Sequence, residues 1–140
     1  MSTLERAIAI AAEAHAGQID KAGAPYILHP LRVMLAVTSL EERIVAVLHD
    51  VVEDCPGWSF ERLRTEGFSE AILAGLASVS KQDGEDYAAF VDRAAQHPLG
   101  RAVKIADMRD NSDVSRISEP TDADYARIAK YQGALARLLP

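Results

Sequence analysis

Apolar residues recur at helical spacing along nearly the whole chain, and no stretch alternates as a half-buried strand does. Leu4, Ala7, Ile8, Ala11 and Ala12 mark a first helix. Ser2 and Glu5 form a capping-box pattern at its start, and Gly17 stops it just after His15. The segment QIDKAGAPYIL carries two glycines and a proline and predicts a loop. Pro30 suits the first turn of a second helix that continues through Leu31, Met34 and Leu35 to Thr38. A third predicted helix begins near Glu41, where an acid favours the positive helix end. It runs unbroken through Ile44, Val45, Val47 and Leu48 to Asp54, ahead of Pro56 and Gly57. Further helices are predicted over Phe60–Glu66, Ser69–Ser80, Tyr87–Ala95, Pro98–Asn111 and Asp122–Leu139, with KQDGED as a polar loop. The pattern predicts an all-α fold: one compact bundle of about seven or eight helices forming a single domain over residues 1–140.

Composition agrees with that picture and narrows the function. A chain of 140 residues buries one continuous core, and a balance of 49% hydrophobic to 26% charged residues is that of a globular protein. Only 6% are aromatic, which favours packed helices over a β-sandwich. The formal net charge of −6 argues against a broad nucleic-acid groove. A phosphorylated small molecule is still compatible with that charge, provided a metal ion or a local cluster of Lys and Arg offsets the repulsion. The single cysteine, Cys55, leaves no internal disulfide to form. No apolar run approaches the roughly 20 residues that span a bilayer. Glu5 and Glu13 interrupt the first helix, unlike a signal peptide. These features predict a cytoplasmic protein with neither a membrane nor a nucleic acid as partner.

Candidate chemistry gathers in four places: His29 before Pro30, HDVVED from His49 to Asp54, KIADMRDN from Lys104 to Asn111, and Lys21 in the glycine-containing loop. His49 and Asp50 sit near a helix end. Glu53 and Asp54 follow at helical spacing, so one imidazole and three carboxylates crowd the negative end of the helix dipole. Such a cluster is unstable without a cation, and a divalent metal supplies one. Each residue also has a simpler reading. His49–Asp50 fits a solvated helix end, His29 a satisfied core histidine, and Asp107 an ion pair with Lys104 or Arg109. Together, two imidazoles and two carboxylates form a mixed N and O set that suits a catalytic Mn²⁺ or Fe²⁺ better than a closed thiolate zinc site. Asn111, one turn after Asp107, shares its face.

The order H…HD…D, carried by His29, His49–Asp50 and Asp107, resembles that of HD-domain metal-dependent phosphohydrolases. AHAGQIDKAGAPYILHPLRV, AVLHDVVED and VKIADMRDN narrow the resemblance to the hydrolase domain of Rel/Spo alarmone enzymes and the small stand-alone alarmone hydrolases. The resemblance runs from about Leu4 to Leu139 and implies an HD-domain helical bundle, with no synthetase segment following. It also implies one Mn²⁺ and removal of the 3′-pyrophosphate of guanosine tetra- or pentaphosphate. His29, His49, Asp50 and Asp107 are then the metal ligands, and Glu53 and Asp54 position or deprotonate the attacking water. Lys21, Lys104, Asn111 and Tyr131 bind the nucleotide. A homodimer is compatible with the resemblance.

Two positions depart from the family. Asp20–Lys21 stands where the family has Arg-Lys, and Val114 replaces a hydroxyl residue. An arginine offers a flat cation for purine and phosphate, and an aspartate does the opposite. Two further substrate readings therefore stand beside the alarmone: another phosphorylated nucleotide or dinucleotide such as NADPH, and a nucleotide-binding module without turnover.

Overall fold

The computed structural model describes residues 2–139. Among them are nine α-helices: α1 Leu4–Ala14, α2 Leu28–Ala36, α3 Leu40–Leu48, α4 Val51–Asp54, α5 Phe60–Thr65, α6 Glu70–Ser78, α7 Tyr87–Ala95, α8 Pro98–Asn111 and α9 Asp122–Leu138. A 3₁₀ turn at Val114–Arg116 precedes α9. The all-α expectation holds, and eight helices result when α4 is counted as the last turn of an interrupted α3.

The helix starts follow local capping chemistry, with one correction to the sequence reading. Thr3, not Ser2, caps α1: its hydroxyl accepts from the Arg6 amide, so Glu5 closes no capping box there. The full box belongs to α3, where Ser39 Oγ accepts from the Glu42 amide and Glu42 returns a bond to the Ser39 amide. That box needs Thr38 and Ser39 outside a helix, so α2 ends at Ala36 and does not reach Thr38. Pro98 occupies the first turn of α8 behind its His97 cap. Gly17, at φ 84°, takes the left-handed conformation that turns the chain out of α1.

The core is centred on α3. Val45, Ala46, Val47 and Leu48 are fully buried, because α1, α2, α6 and α8 surround this helix. Ile10, Val33, Leu63, Leu76 and Val103 complete the same cluster. Burying each of these side chains stabilises the fold by about 1.5–3 kcal/mol. Gly100 lets α8 approach α6 closely, since a Cβ there would lie 2.0 Å from Ser78 Oγ. A smaller cluster of Val91, Met108, Ala134 and Leu138 joins α7, α8 and α9. α8 therefore belongs to both clusters, which fixes Lys104 to Asn111 between α2–α3 on one side and α7–α9 on the other. No described helix is long and apolar enough to cross a membrane.

The interruption of α3 corrects the expectation of one unbroken helix to Asp54. In a regular helix the Ala46 carbonyl accepts from the Asp50 amide. Here His49 Nδ1 takes that carbonyl at 2.6 Å, and the chain turns between His49 and Asp50 before α4 resumes. A side chain has outcompeted the helix ladder.

Candidate functional site

Three helices deliver the charged residues to one point. α2 supplies His29, the end of α3 supplies His49 and Asp50, and α8 supplies Asp107. His29 Nε2 lies 3.0 Å from Asp107 Oδ1 and 3.8 Å from Asp50 Oδ2. His49 Nε2 lies 3.0 Å from Asp50 Oδ2 and 3.4 Å from Asp107 Oδ1. Both histidines and Asp107 are buried. One ligating atom each from His29, His49 and Asp50 lies within 4.8 Å of the others.

The ring orientations define what this cluster accepts. Each histidine directs Nδ1 at an acceptor: His49 at the Ala46 carbonyl, and His29 at Asp110 Oδ2, 2.6 Å away. With Nδ1 donating, each Nε2 turns a lone pair towards carboxylate oxygens. His49 Nε2 is buried and makes no hydrogen bond of acceptable geometry. A lone pair facing lone pairs is costly unless a proton or a metal lies between them. Neighbouring ligand atoms on a metal with bonds of about 2.1 Å lie roughly 3.0–3.5 Å apart, close to the spacings seen here. His29, His49 and Asp50 fit a divalent cation as a set, and Asp107 stands beside both histidines without belonging to that group.

Charge follows the same logic. Burial disfavours ionisation of Asp107, yet His49, Lys104 and His29 outweigh it and hold the carboxyl well below its usual range. Burial likewise opposes a charged His49, and Asp50 and Asp107 reverse that effect, so its pKa rises well above the ordinary imidazole value. Glu53 moves the other way from Asp107. Its burial, with Asp50 and Asp54 nearby, raises its pKa against the lowering effect of the Lys81 amide.

A cavity of about 640 Å³ opens over this centre. Lys21, Lys104, Asn111 and Tyr131 all line it, as does Glu53. Asp54 is not among the lining residues, and its carbonyl accepts from Gln18 Nε2 at 3.4 Å. Lys104 and Asn111 are already engaged with the centre: Lys104 Nζ lies 3.3 Å from Asp107 Oδ2, and Asn111 Nδ2 donates to Asp107 Oδ1 at 3.0 Å. Asp20 lines the rim, but its Oδ1 accepts from the Ala22 and Ala24 amides, both at 2.9 Å, and so staples its own loop.

Several lining residues were absent from the sequence reading. Tyr26 donates to Asp50 Oδ2 at 2.5 Å. Arg32, Lys81, Arg116, Arg127 and Lys130 add cations to Lys21 and Lys104 around the cavity. Arg32, Arg116 and Arg127 pair with Asp110, Asp113 and Asp124, so the exposed Lys21, Lys81 and Lys130 offer the most charge to a phosphorylated ligand. Arg32 and Asp110 carried a signal: each lies three residues after a candidate ligand, on the same helix face. Lys81, Arg127 and Lys130 lie far from every motif in sequence and reach the cavity only through tertiary packing.

Comparison with known proteins decides the family. The model of the HD domain matches residues 7–110. The chain belongs to the HD-domain family. Among its relatives, a probable GTP pyrophosphokinase of Mycobacterium leprae is 32% identical over 86% of this chain and 17% of its own length. A guanosine-3′,5′-bis(diphosphate) 3′-pyrophosphohydrolase of Aquifex aeolicus is 32% identical over 77% of this chain and 17% of its own. This HD-domain chain thus spans about a sixth of the length of these relatives. A solved structure described as a metazoan ortholog of SpoT that hydrolyzes ppGpp superposes with a TM-score of 0.80. It covers 99% of this chain and 85% of its own at 21% identity, a likeness that bears on the fold alone.

Proposed function

We propose that this HD-domain chain is a metal-dependent pyrophosphohydrolase that removes the 3′-pyrophosphate of guanosine tetra- and pentaphosphate. One Mn²⁺ is held by His29, His49, Asp50 and Asp107. The observation that carries this reading is the meeting of two Nε2 lone pairs and two carboxylates at the floor of a cation-lined cavity. A relative named for this hydrolysis matches over 77% of the chain, which supports the same substrate class.

Bound in this site, the metal supplies Lewis acidity that polarises a phosphoryl oxygen and makes water a stronger nucleophile at neutral pH. Glu53 takes the proton of the attacking water. Its raised pKa suits a base better than an ordinary carboxylate does, and the Lys81 amide holds it in position. Asp54 contributes negative charge behind Glu53 that helps raise this pKa. Lys104 balances Asp107, so that the buried carboxylate stays ionised and oriented. Lys21 and Lys130 receive phosphate oxygens at the mouth, and Tyr131 lines the nucleoside side. The amide nitrogen of Asn111 is committed to Asp107, which leaves its carbonyl oxygen for a ribose hydroxyl. Attack at the 3′-linked phosphorus breaks its bond to the ribose oxygen, which takes up a proton equivalent to the one Glu53 removed from water, and leaves a 3′-hydroxyl and pyrophosphate.

The Asp20 departure weighs less against the alarmone than its charge suggests, because one carboxylate oxygen is bound to loop amides. The deciding test treats chelated protein with guanosine tetraphosphate, guanosine pentaphosphate or NADPH, with and without added Mn²⁺. Pyrophosphate release from the guanosine compounds only after Mn²⁺ addition is expected. Turnover of NADPH alone, or none of the three, rejects this assignment.

A further inference from the structure

The two candidate metal-binding histidines are held by different partners. His49 gives Nδ1 to a neutral backbone carbonyl. His29 gives Nδ1 to the Asp110 carboxylate at 2.6 Å, and that carboxylate is gripped by Arg32: Nε to Oδ1 at 2.7 Å and Nη2 to Oδ2 at 3.1 Å. Arg32 lies one turn after His29 on α2, and Asp110 one turn after Asp107 on α8. Two adjacent rungs therefore cross from α2 to α8. One is His29–Asp107 and the other is Arg32–Asp110, with the His29–Asp110 contact as a diagonal between them.

We propose that Asp110 and Arg32 are positioning residues of the metal centre: Asp110 fixes the Nδ1–H tautomer and ring plane of His29, and Arg32 fixes Asp110. This inference rests on the reading of His29 as a metal ligand. A carboxylate behind an imidazole orients the ring and makes it a stronger donor. A simple clamp between α2 and α8 requires only the Arg32–Asp110 pair, and the short third contact to His29 goes beyond that. The side chain of Asp110 is only 11% exposed, so water competes weakly for its oxygens. The Arg116 side chain adds a bond to the Asp110 carbonyl at 2.9 Å, tying down the same residue from the 3₁₀ turn.

Arithmetic of acceptors makes the inference testable. Asp110 Oδ2 serves both His29 and Arg32, while Oδ1 serves Arg32, with Arg116 Nη1 a further 3.5 Å neighbour. An asparagine has one acceptor oxygen and no charge. Its NH₂ group faces Arg32 Nε if the oxygen takes the Oδ2 place, and faces His29 Nδ1 and Arg32 Nη2 if the oxygen takes the Oδ1 place. In both cases the acceptor behind His29 is weakened or lost. The experiment compares wild-type full chain with Asp110→Asn, Asp110→Glu and Arg32→Gln by three readings. These are Co²⁺ affinity from visible absorption, His29 ring ¹⁵N shifts in metal-free protein at alkaline pH, and thermal stability. Asp110→Asn should weaken Co²⁺ binding about ten- to a hundredfold and move His29 away from the pure Nδ1–H tautomer. Arg32→Gln should weaken binding less, by about threefold to tenfold, and Asp110→Glu should restore part of the affinity. Loss of thermal stability with wild-type Co²⁺ affinity and an unchanged tautomer would overturn the proposal in favour of a clamp. If Asp110→Asn does not fold, unchanged affinity and tautomer in Arg32→Gln overturn it equally. If wild-type protein binds no Co²⁺ at all, the metal-ligand reading fails. The metal-free tautomers then still decide whether Asp110 orients the ring.

Discussion

The floor and the rim of the cavity are built on opposite principles. On the floor, His29, His49 and Asp107 are buried, and nearly every polar atom has a fixed neighbour on α2, α3 or α8. At the rim, Lys21, Lys81 and Lys130 are exposed, and Lys130 leans only on the Tyr87 ring, 4.1 Å from its centroid. Buried charges must be satisfied in one geometry or they unfold the protein. Exposed lysines keep their rotamers and their water, and act through charge at a distance. The chemistry is therefore assigned to the rigid region and substrate attraction to the adaptable one, and perturbations should divide the same way.

The largest effect is expected on the floor. Asp107→Ala removes the partner of buried Lys104 and a carboxylate that faces Nε2 of both histidines. It should cost about 3–5 kcal/mol of stability, together with metal binding and turnover. Denaturant midpoints with and without Mn²⁺ check this, and a stable, active variant would erase the contrast. Glu53→Gln comes next. It should lower kcat about 10²- to 10⁴-fold while metal affinity stays close to wild type, as expected for a lost general base. Parallel Mn²⁺ titration and single-turnover kinetics separate the two quantities.

Rim variants should act more weakly and on KM. Lys21→Ala should raise KM about fivefold, the size of an exposed charge contact of ~1 kcal/mol, with kcat nearly unchanged. The effect should shrink as salt is added. Asp20→Arg sharpens the comparison further. From sequence alone, restoring the family's arginine predicts a KM about tenfold lower, by charge attraction. An opposing effect comes from the loop, because the substitution removes the acceptor for the Ala22 and Ala24 amides. Steady-state kinetics of Asp20→Arg should show no gain in KM.

The smallest effect concerns acid. Hydrogen bonds from Arg93 and the Gln82 amide pull Glu85 down to about 2 and tie the segment carrying Lys81 to α7. A depressed folded-state pKa stabilises the protein above the unfolded-state value. That contribution should fade as pH falls from about 4.5 to about 2. Glu85→Gln should flatten this part of the stability–pH curve and leave the curve above pH 6 parallel to wild type. Chemical denaturation across that range measures it.

The helices were legible because their apolar spacing, caps and glycines are local, and His29, His49, Asp50 and Asp107 were legible because of their motifs. The break at His49 was not, since no glycine or proline marks it and its cause is a ring nitrogen on the Ala46 carbonyl. Tyr26 lay inside a quoted motif, yet nothing in its spacing reveals a hydroxyl aimed at Asp50. The bonds from Asp20 Oδ1 to its own loop were not legible, because charge is visible in a sequence and hydrogen-bond commitment is not. Lys81 and Lys130 reach the rim through the packing of α6–α7 and α9, which spacing along the chain does not encode.

The proposed chemistry depends on one divalent metal bound at the four floor residues. Electron paramagnetic resonance titration of Mn²⁺ into metal-free protein tests it directly, with His49→Ala as the comparison. His49 is the sharper choice because its Nε2 makes no hydrogen bond in the protein. One tightly held Mn²⁺ per wild-type chain, lost or greatly weakened in folded His49→Ala, is the predicted result. Equal binding by both proteins, or no stoichiometric Mn²⁺ in either, contradicts the account.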